Sequence, residues 1–199
     1  MSLEIVAVSA GLWQPSKTTA LARALLEAVA EELDALRTCV ELGPIAHELG
    51  STLRRGEAPP RVEEALHRVE RADLLIVASP VFRGSYTGHF KHFFDLIDTQ
   101  ALLGKPVVVA ATGGGTKHCL VVEHQLRPLF AFFQALTLPT AVYASDSDFE
   151  NYAIHSPSLQ DRIASVAVEA RRFFPVSIPI APLERSHHNV PKNSHFHSR

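Results

Sequence analysis

Short continuous apolar runs alternate along this chain with longer segments in which apolar residues recur at helical spacing. Runs of four to eight apolar residues between turn signals are typical of buried strands, and the helical spacing is typical of amphipathic helices. Strands are predicted at residues 3–9, 38–42, 73–78, 106–111 and 141–144, and helices at residues 18–36, 61–72, 89–97, 120–136 and 158–174. The pattern therefore predicts five βα units in succession.

The third predicted strand is apolar throughout apart from Asp73, its first residue. Continuous apolar strands are expected where helices cover both faces of a parallel sheet. Strands joined by right-handed helical crossovers form a doubly wound α/β fold, which binds ligands beyond the carboxyl ends of the strands. We therefore look for a binding site in the loops after the first, third and fourth strands.

The loop after the first strand carries several hydroxyl side chains directly before a helix. Backbone N–H groups at a helix start, together with hydroxyls, favour a phosphate group there. The dinucleotide pattern G-x-G-x-x-G and the Walker lysine are absent from this loop, so a terminal monophosphate fits it better than NAD or ATP. The alternative is that Ser16 or Thr18 only caps the helix. The hydroxyls are those of Ser9, Ser16, Thr18 and Thr19.

The loops after the third and fourth strands have the composition of a site for a flat ring. Residues 79–88 are rich in turn formers and include Phe82 and Tyr86, which can flank a planar heterocycle. Residues 112–116 include three consecutive glycines, which allow the main chain to approach a ring closely. Glycine-rich turns also serve simple chain reversal, so each loop alone is weak support.

Composition narrows the class of protein. A chain of 199 residues with 46% hydrophobic residues suits one globular domain, predicted here as residues 1–175. The formal charge of −2 offers no basic field for nucleic acid. Two cysteines, Cys39 and Cys119, fit a reducing compartment. No stretch has the length of a membrane span and no signal peptide is recognisable, so we expect a cytoplasmic protein.

Residues 176–199 contain Pro179, Pro182 and Pro191 and little periodic apolar content, which predicts an extended, mobile tail. Four histidines gather there, which raises a transition-metal site as an alternative to a plain polar tail. A metal site needs fixed geometry, so no metal is predicted. The histidines are His187, His188, His195 and His197.

Taken together, these segments resemble the NADPH-dependent FMN reductase family, most closely the FMN reductases of two-component alkanesulfonate and methanesulfonate monooxygenase systems. The resemblance covers residues 3–174. It is strongest in the segments Ala-Ser-Pro-Val-Phe-Arg-Gly-Ser-Tyr at 78–86, Phe90-Lys91, Asp95, Ala-Thr-Gly-Gly at 111–114, and Leu-Arg-Pro-Leu at 126–129. It implies a flavodoxin-like three-layer sandwich with a five-stranded parallel sheet in the order 2-1-3-4-5.

The resemblance also implies which residues bind FMN. Ser9, Ser16, Thr18 and Thr19 would hold the phosphate. Pro80, Val81, Phe82 and Ser85 would line the ribityl chain and the ring, and Thr112, Gly113 and Gly114 would meet the isoalloxazine. Arg83 is a candidate for contacting FMN or the NADPH phosphate, against the alternative of a solvated surface arginine. The family pattern has tyrosine where Phe82 stands, so stacking is expected there without the hydroxyl.

The predicted helix at 120–136 is where sulfonate-pathway relatives carry a one-residue insertion that makes a π-helical bulge at a tetramer interface. The inserted residue corresponds to His124, and π-bulges cluster at functional sites. The alternative is a solvated histidine beside Glu123. The resemblance therefore implies a homodimer or homotetramer.

The implied function is transfer of hydride from NADPH or NADH to FMN, with reduced FMN supplied to a separate monooxygenase in sulfonate sulfur assimilation. Such chemistry is done by flavin and nicotinamide, so no catalytic side chain is predicted. One alternative is a reductase that retains FMN and reduces quinones, azo dyes or metal oxyanions. Another is a flavodoxin-like electron carrier without nicotinamide turnover.

Overall fold

A parallel sheet occupies the centre of the protein, seen here in a computed structural model that describes residues 2–174. The strands are β1 (Glu4–Ser9), β2 (Leu36–Glu41), β3 (Leu74–Pro80), β4 (Pro106–Gly113), β5 (Leu136–Thr137), β6 (Val142–Ser145), β7 (Phe149–Glu150) and β8 (Ala153–Ile154). The helices are α1 (Lys17–Leu33), α2 (Ala46–Ser51), α3 (Pro60–Arg71), α4 (Gly88–Asp95), α5 (Arg127–Phe132) and α6 (Pro157–Ala170). The predicted tail and its histidines lie outside the described residues.

The strand order confirms the predicted doubly wound topology. The sheet runs β2-β1-β3-β4, and β5 and β6 both pair in parallel with β4. These two short strands together occupy the fifth position of the predicted order 2-1-3-4-5. The carboxyl ends of β1, β3, β4 and β6 therefore meet at one edge, where a doubly wound fold places its ligand.

Helices cover both faces of the sheet, as the apolar strands predict. Alternate residues of β1 point to opposite faces, so Val6 and Val8 pack under α3, α4 and α5, whereas Ile5 and Ala7 pack under α1 and α6. All four side chains are fully buried. The two apolar clusters make the three-layer sandwich rigid and fix the strand ends that carry the site.

The predicted helix over residues 120–136 is wrong only at its end, and the π-helical turn that the resemblance implies at His124 is present. A five-residue π-helix, Val122–Leu126, comes first and continues into α5. The helix then ends because Gln134 takes a left-handed φ of 55°. Leu136 N–H donates to the Lys105 carbonyl, so the last predicted helical residues join the sheet as β5. Sheet pairing thus overrides local helical spacing at this position.

Candidate functional site

A cleft of about 260 Å³ opens at the carboxyl edge of the sheet. Residues from the ends of β3, β4 and β6 and from the start of α1 line it, and several of them are the predicted ones: Thr18, Pro80, Val81, Phe82, Thr112, Gly113 and Gly114. Six further lining residues were not predicted: Lys17, Ala144, Ser145, Asp146, Phe149 and Tyr152. Five of the six lie at the end of β6 or after it, so the rule that ligands bind at strand ends points to this region as well.

The four hydroxyls of the β1–α1 loop are not equivalent in the structure. Ser9 and Thr19 are buried, and their hydroxyl oxygens are 2.8 Å apart, so they bond to each other. Ser16 caps α1, because its Oγ accepts a hydrogen bond of 3.2 Å from Thr19 N–H. Thr18 alone among the four lines the cleft. The capping alternative therefore describes Ser16 well, although capping does not account for the other three hydroxyls.

The first turn of α1 faces the cleft with polar groups. Within the described residues, the N–H groups of Lys17 and Thr18 have no acceptor in the protein. Helix geometry leaves these first donors free, and the partial positive charge of the helix start lies with them. The Lys17 ammonium bonds to Asp146 Oδ1 at 2.7 Å and lies 5.8 Å from the centre of the Phe149 ring. This end of the cleft is therefore rich in donors.

The loop after β3 folds into a tight hairpin at the edge of the cleft. Phe82 and Ser85 exchange two backbone hydrogen bonds of 2.8 and 3.2 Å. Arg83 and Gly84 between them have φ values of 53° and 84°, which is the pattern of a type I′ turn. The turn keeps Phe82 directly opposite Ser85. Arg83 is exposed at the tip and does not line the cleft.

Two exposed aromatic rings stack beside the cleft. The rings of Trp13 and Phe82 have centroids 5.9 Å apart and an interplanar angle of 27°. Trp13 is 69% exposed and Phe82 is 40% exposed, which is unusual for side chains of this size. Trp13 was not among the predicted site residues, because nothing in the sequence shows that the β1–α1 loop reaches the hairpin after β3.

The loop after β4 is packed closely against its neighbours. The hydroxyl oxygens of Thr112 and Thr18 are 2.6 Å apart, which ties β4 to the start of α1. A Cβ atom on Gly113 would lie 2.3 Å from the Tyr143 hydroxyl, so only glycine fits there without movement. Tyr143 donates to the Gly115 carbonyl, and burial raises the pKa of its hydroxyl. The tyrosine thus stays protonated and holds the glycine loop in place.

The loop after β6 is fixed by a capping box. Ser145 N–H donates to Asp148 Oδ2 at 2.7 Å, and the Ser145 hydroxyl donates to the same oxygen at 2.8 Å. Burial alone would raise the pKa of Asp148, but these hydrogen bonds outweigh it and lower the pKa. The fixed turn holds Asp146 beside Lys17 at the cleft.

The π-helix lies behind the hairpin rather than in the cleft. Arg127 N–H donates to the Val122 carbonyl five residues earlier, which is the π-helical hydrogen bond, and His124 is the middle residue of the turn. The His124 side chain is exposed. Its neighbour Gln125 contacts the hairpin, because the Ser85 hydroxyl donates to Gln125 Oε1 at 3.0 Å. Ser85 therefore bonds to the helix and does not line the cleft.

Residues 2–174 provide neither a metal centre nor a membrane span. No group of three or more His, Cys, Asp or Glu side chains in this part of the chain is placed to hold a metal ion. No helix among these residues combines the length and the apolar character needed to cross a membrane.

Comparison with known proteins relates the chain to flavin reductases. The family model for NADPH-dependent FMN reductase matches residues 3–150. The chain is 52% identical over 172 residues to the NADH-dependent FMN reductase SfnF of Pseudomonas fluorescens, covering 86% of this chain and 92% of that protein. It is also 52% identical over 171 residues to an FMN reductase (NADPH) of Pseudomonas aeruginosa, covering 86% of this chain and 92% of the relative.

Solved structures agree as well. An oxidoreductase from Corynebacterium diphtheriae superposes with a TM-score of 0.77 at 34% identity, covering 86% of this chain and 96% of that one. The family match spans β1 to β7 and thus includes every strand end that lines the cleft. This chain belongs to the NADPH-dependent FMN reductase family.

Proposed function

We propose that this protein is an NAD(P)H-dependent FMN reductase whose cleft binds FMN as an exchangeable substrate. The observation that carries the proposal is that one cleft offers both hydrogen-bond donors and an apolar surface with a glycine loop. The free donors at the start of α1 lie at one part of it, and Pro80, Val81 and Phe82 with the glycine loop form another. A monophosphate joined to a flat ring system needs this combination.

The first turn of α1 fits the phosphate of FMN. The free N–H groups of Lys17 and Thr18 and the Lys17 ammonium can all donate to phosphate oxygens. The Thr18 hydroxyl lines the cleft and can be a fourth donor when Thr112 donates the 2.6 Å bond between the two hydroxyls. Ser9, Ser16 and Thr19 then act mainly by shaping the loop, since their hydroxyls already bond within it.

The loops after β3 and β4 fit the ring. Pro80, Val81 and Phe82 supply apolar surface, and Gly114 is exposed with no atom closer than 3.8 Å to the position of a Cβ. A main chain left open in this way can approach a flat ring and direct N–H groups at its polar edge. When bound, FMN supplies the redox chemistry by accepting a hydride from the nicotinamide. The protein binds and orients the two molecules without a catalytic acid or base of its own.

Three further proposals rest on the family likeness. The first is that reduced FMN is passed to a partner monooxygenase in sulfonate sulfur assimilation. The second is that residues 1–175 form the reductase domain, with residues 176–199 as an appendage. The third is that the protein is a homodimer or homotetramer with His124 at an interface. Exposed apolar side chains near the π-helix support the last point, since Leu120 is 61% exposed and Phe132 is 70% exposed. Light scattering coupled to size exclusion measures the oligomeric state directly.

Steady-state oxidation of NADH and of NADPH, with and without added FMN, tests the proposed activity. We expect oxidation that saturates with FMN for at least one of the two nicotinamides. A rate that does not rise above the flavin-free rate would contradict the reductase and favour an electron carrier. Anaerobic titration in a dialysis cell then shows whether reduced FMN leaves the protein side.

The FMN-retaining reductase is the second candidate, and purification separates it from the first. A protein that releases FMN is expected to purify nearly colourless, because flavin is lost on dilution. A yellow protein that keeps one FMN per chain through gel filtration would favour the retaining enzyme.

A further inference from the structure

The hairpin Phe82–Ser85 is a rigid unit with few attachments to the rest of the protein. Its turn is closed by the two backbone bonds between Phe82 and Ser85, so the two residues move together. In the part of the chain that the structure describes, residues 82–85 make one side-chain hydrogen bond, from the Ser85 hydroxyl to Gln125 Oε1. The Trp13 ring that stacks on Phe82 is itself largely exposed.

Gln125 is a firm anchor because the π-helix that carries it is itself held. Val122 and Leu126 on either side are buried in the core, at 5% and 1% exposure. Arg127, directly after the π-helix, donates to the Leu138 and Pro139 carbonyls at 2.6 Å each. An extra residue in an α-helix would turn the following positions by about 100°. The π turn absorbs the extra residue, so the core contacts on both sides are kept while Gln125 faces the hairpin.

The anchored hairpin forms a wall of the cleft. Phe82 lines the cleft and is joined through the turn to Ser85, which Gln125 holds at 3.0 Å. Val81 N–H donates to the Thr112 carbonyl at 2.7 Å, so the base of the hairpin is fixed to β4. Only the tip of the hairpin can therefore move, and the Ser85–Gln125 hydrogen bond is the contact that limits this movement.

We propose that Gln125 is a positioning residue for FMN: through Ser85 it fixes the Phe82–Ser85 hairpin, and thereby sets how tightly the cleft holds the flavin. This inference rests on the proposed FMN site. It assigns the π-helix a role within one chain, separate from any contact between subunits. Without the bond, the free tip samples positions in which Phe82 no longer flanks the ring, and FMN leaves sooner.

The test compares Gln125→Leu with Gln125→Glu by FMN fluorescence titration in the absence of nicotinamide. Gln125→Leu removes the acceptor, and we expect the Kd for FMN to rise by about 3- to 10-fold, the range for loss of one hydrogen bond. Gln125→Glu keeps an acceptor for the Ser85 hydroxyl and is expected to stay within about twofold of the parent protein. Gln160→Leu, at an exposed position of α6, makes the same chemical change away from the cleft and is the matched control.

A second background shows whether Gln125 acts through Ser85. In the Ser85→Ala protein, adding Gln125→Leu should change the Kd for FMN no further, because the bond is already lost. With saturating nicotinamide, Gln125→Leu should raise KM for FMN and leave kcat within about twofold. Equal weakening in both backgrounds, or an unchanged Kd for Gln125→Leu, would overturn the inference. Failure of the parent protein to bind or reduce FMN would instead overturn the proposed function.

Discussion

Lys17 Nζ lies 2.7 Å from Asp146 Oδ1, and this ion pair joins the first turn of α1 to the loop after β6. Both side chains line the cleft. A phosphate bound at the start of α1 would compete with Asp146 for the Lys17 ammonium, and the carboxylate would repel it. In the proposed site this pair would weaken the hold on the FMN phosphate, which suits the proposed release of reduced FMN.

Asp146→Asn should tighten FMN binding. Removing the negative charge frees Lys17 for the phosphate, and we expect the Kd for FMN to fall by about two- to fivefold at low salt, as for a largely exposed pair. The gain should shrink at high ionic strength. Riboflavin, which lacks the phosphate, is the matched control ligand. Equal tightening of riboflavin would show that Asp146 acts on the ring instead.

Lys17→Met should change affinity in the opposite direction. Loss of the ammonium is expected to raise the Kd for FMN by about 10- to 100-fold, in the range of charge-assisted hydrogen bonds, with little change for riboflavin. Lys91→Met on α4 removes a lysine of an i,i+4 pair outside the cleft and is the matched control. An FMN affinity that Lys17→Met leaves intact would place the phosphate elsewhere.

The fluorescence of Trp13 can report the binding of FMN, since Trp13 is the one tryptophan of the chain. It stacks on Phe82 at the cleft, so adding FMN should quench its emission, and the quenching should saturate with the Kd measured from flavin fluorescence. Phe82→Ala should raise that Kd by about 3- to 10-fold, because a flanking aromatic ring is lost. Quenching that grows linearly without saturation would mean that Trp13 lies away from bound FMN.

Gly113→Ala should destabilise the protein by about 1–3 kcal/mol, the usual cost of overpacking. The new Cβ would lie 2.3 Å from the Tyr143 hydroxyl and force the ring away from the Gly115 carbonyl. Tyr143→Phe in the same chain should recover part of the loss, because the clashing oxygen is gone. Gly115→Ala, where a Cβ meets no atom within 4 Å, is the control. Urea unfolding measures all three, and equal costs at Gly113 and Gly115 would refute the clash.

Because of Lys105, the free energy of unfolding should increase as the pH rises into the alkaline range. Its ammonium donates to the Val69 and Glu70 carbonyls at the end of α3, and burial lowers its pKa from 10.5 to about 8. Between these values the unfolded chain binds a proton that the folded protein has released, so stability rises with pH. Relative to Lys105→Met, the parent protein should gain about 3 kcal/mol over that window and nothing below pH 7. A pH-independent difference between the two unfolding free energies would contradict this.

Much of the fold followed from apolar patterning. The continuous apolar runs at β1, β3 and β4 are typical of strands in the middle of a parallel sheet that helices cover on both faces. Because the carboxyl ends of such strands meet at one edge, Pro80, Val81, Phe82 and Thr112 were placed correctly at that edge. The region from residue 120 to 136 was harder, because helical spacing reveals neither the pairing of β5 with β4 nor the π turn, which only the family resemblance indicated. Asp146, Phe149 and Tyr152 were missed although the strand-end rule reaches the loop after β6 as well.

The sequence by itself determined the layered sheet, the edge at which a ligand binds and the hydroxyl-rich loop before α1, because burial and strand polarity are properties of local pattern. Only the tertiary structure decided how that loop is used. The Thr18 hydroxyl meets Thr112 across 94 positions of the chain, and Ser85 meets Gln125 across 40. Such partners depend on how elements pack in three dimensions, and side-chain direction at a strand end is fixed only when the neighbouring element is in place.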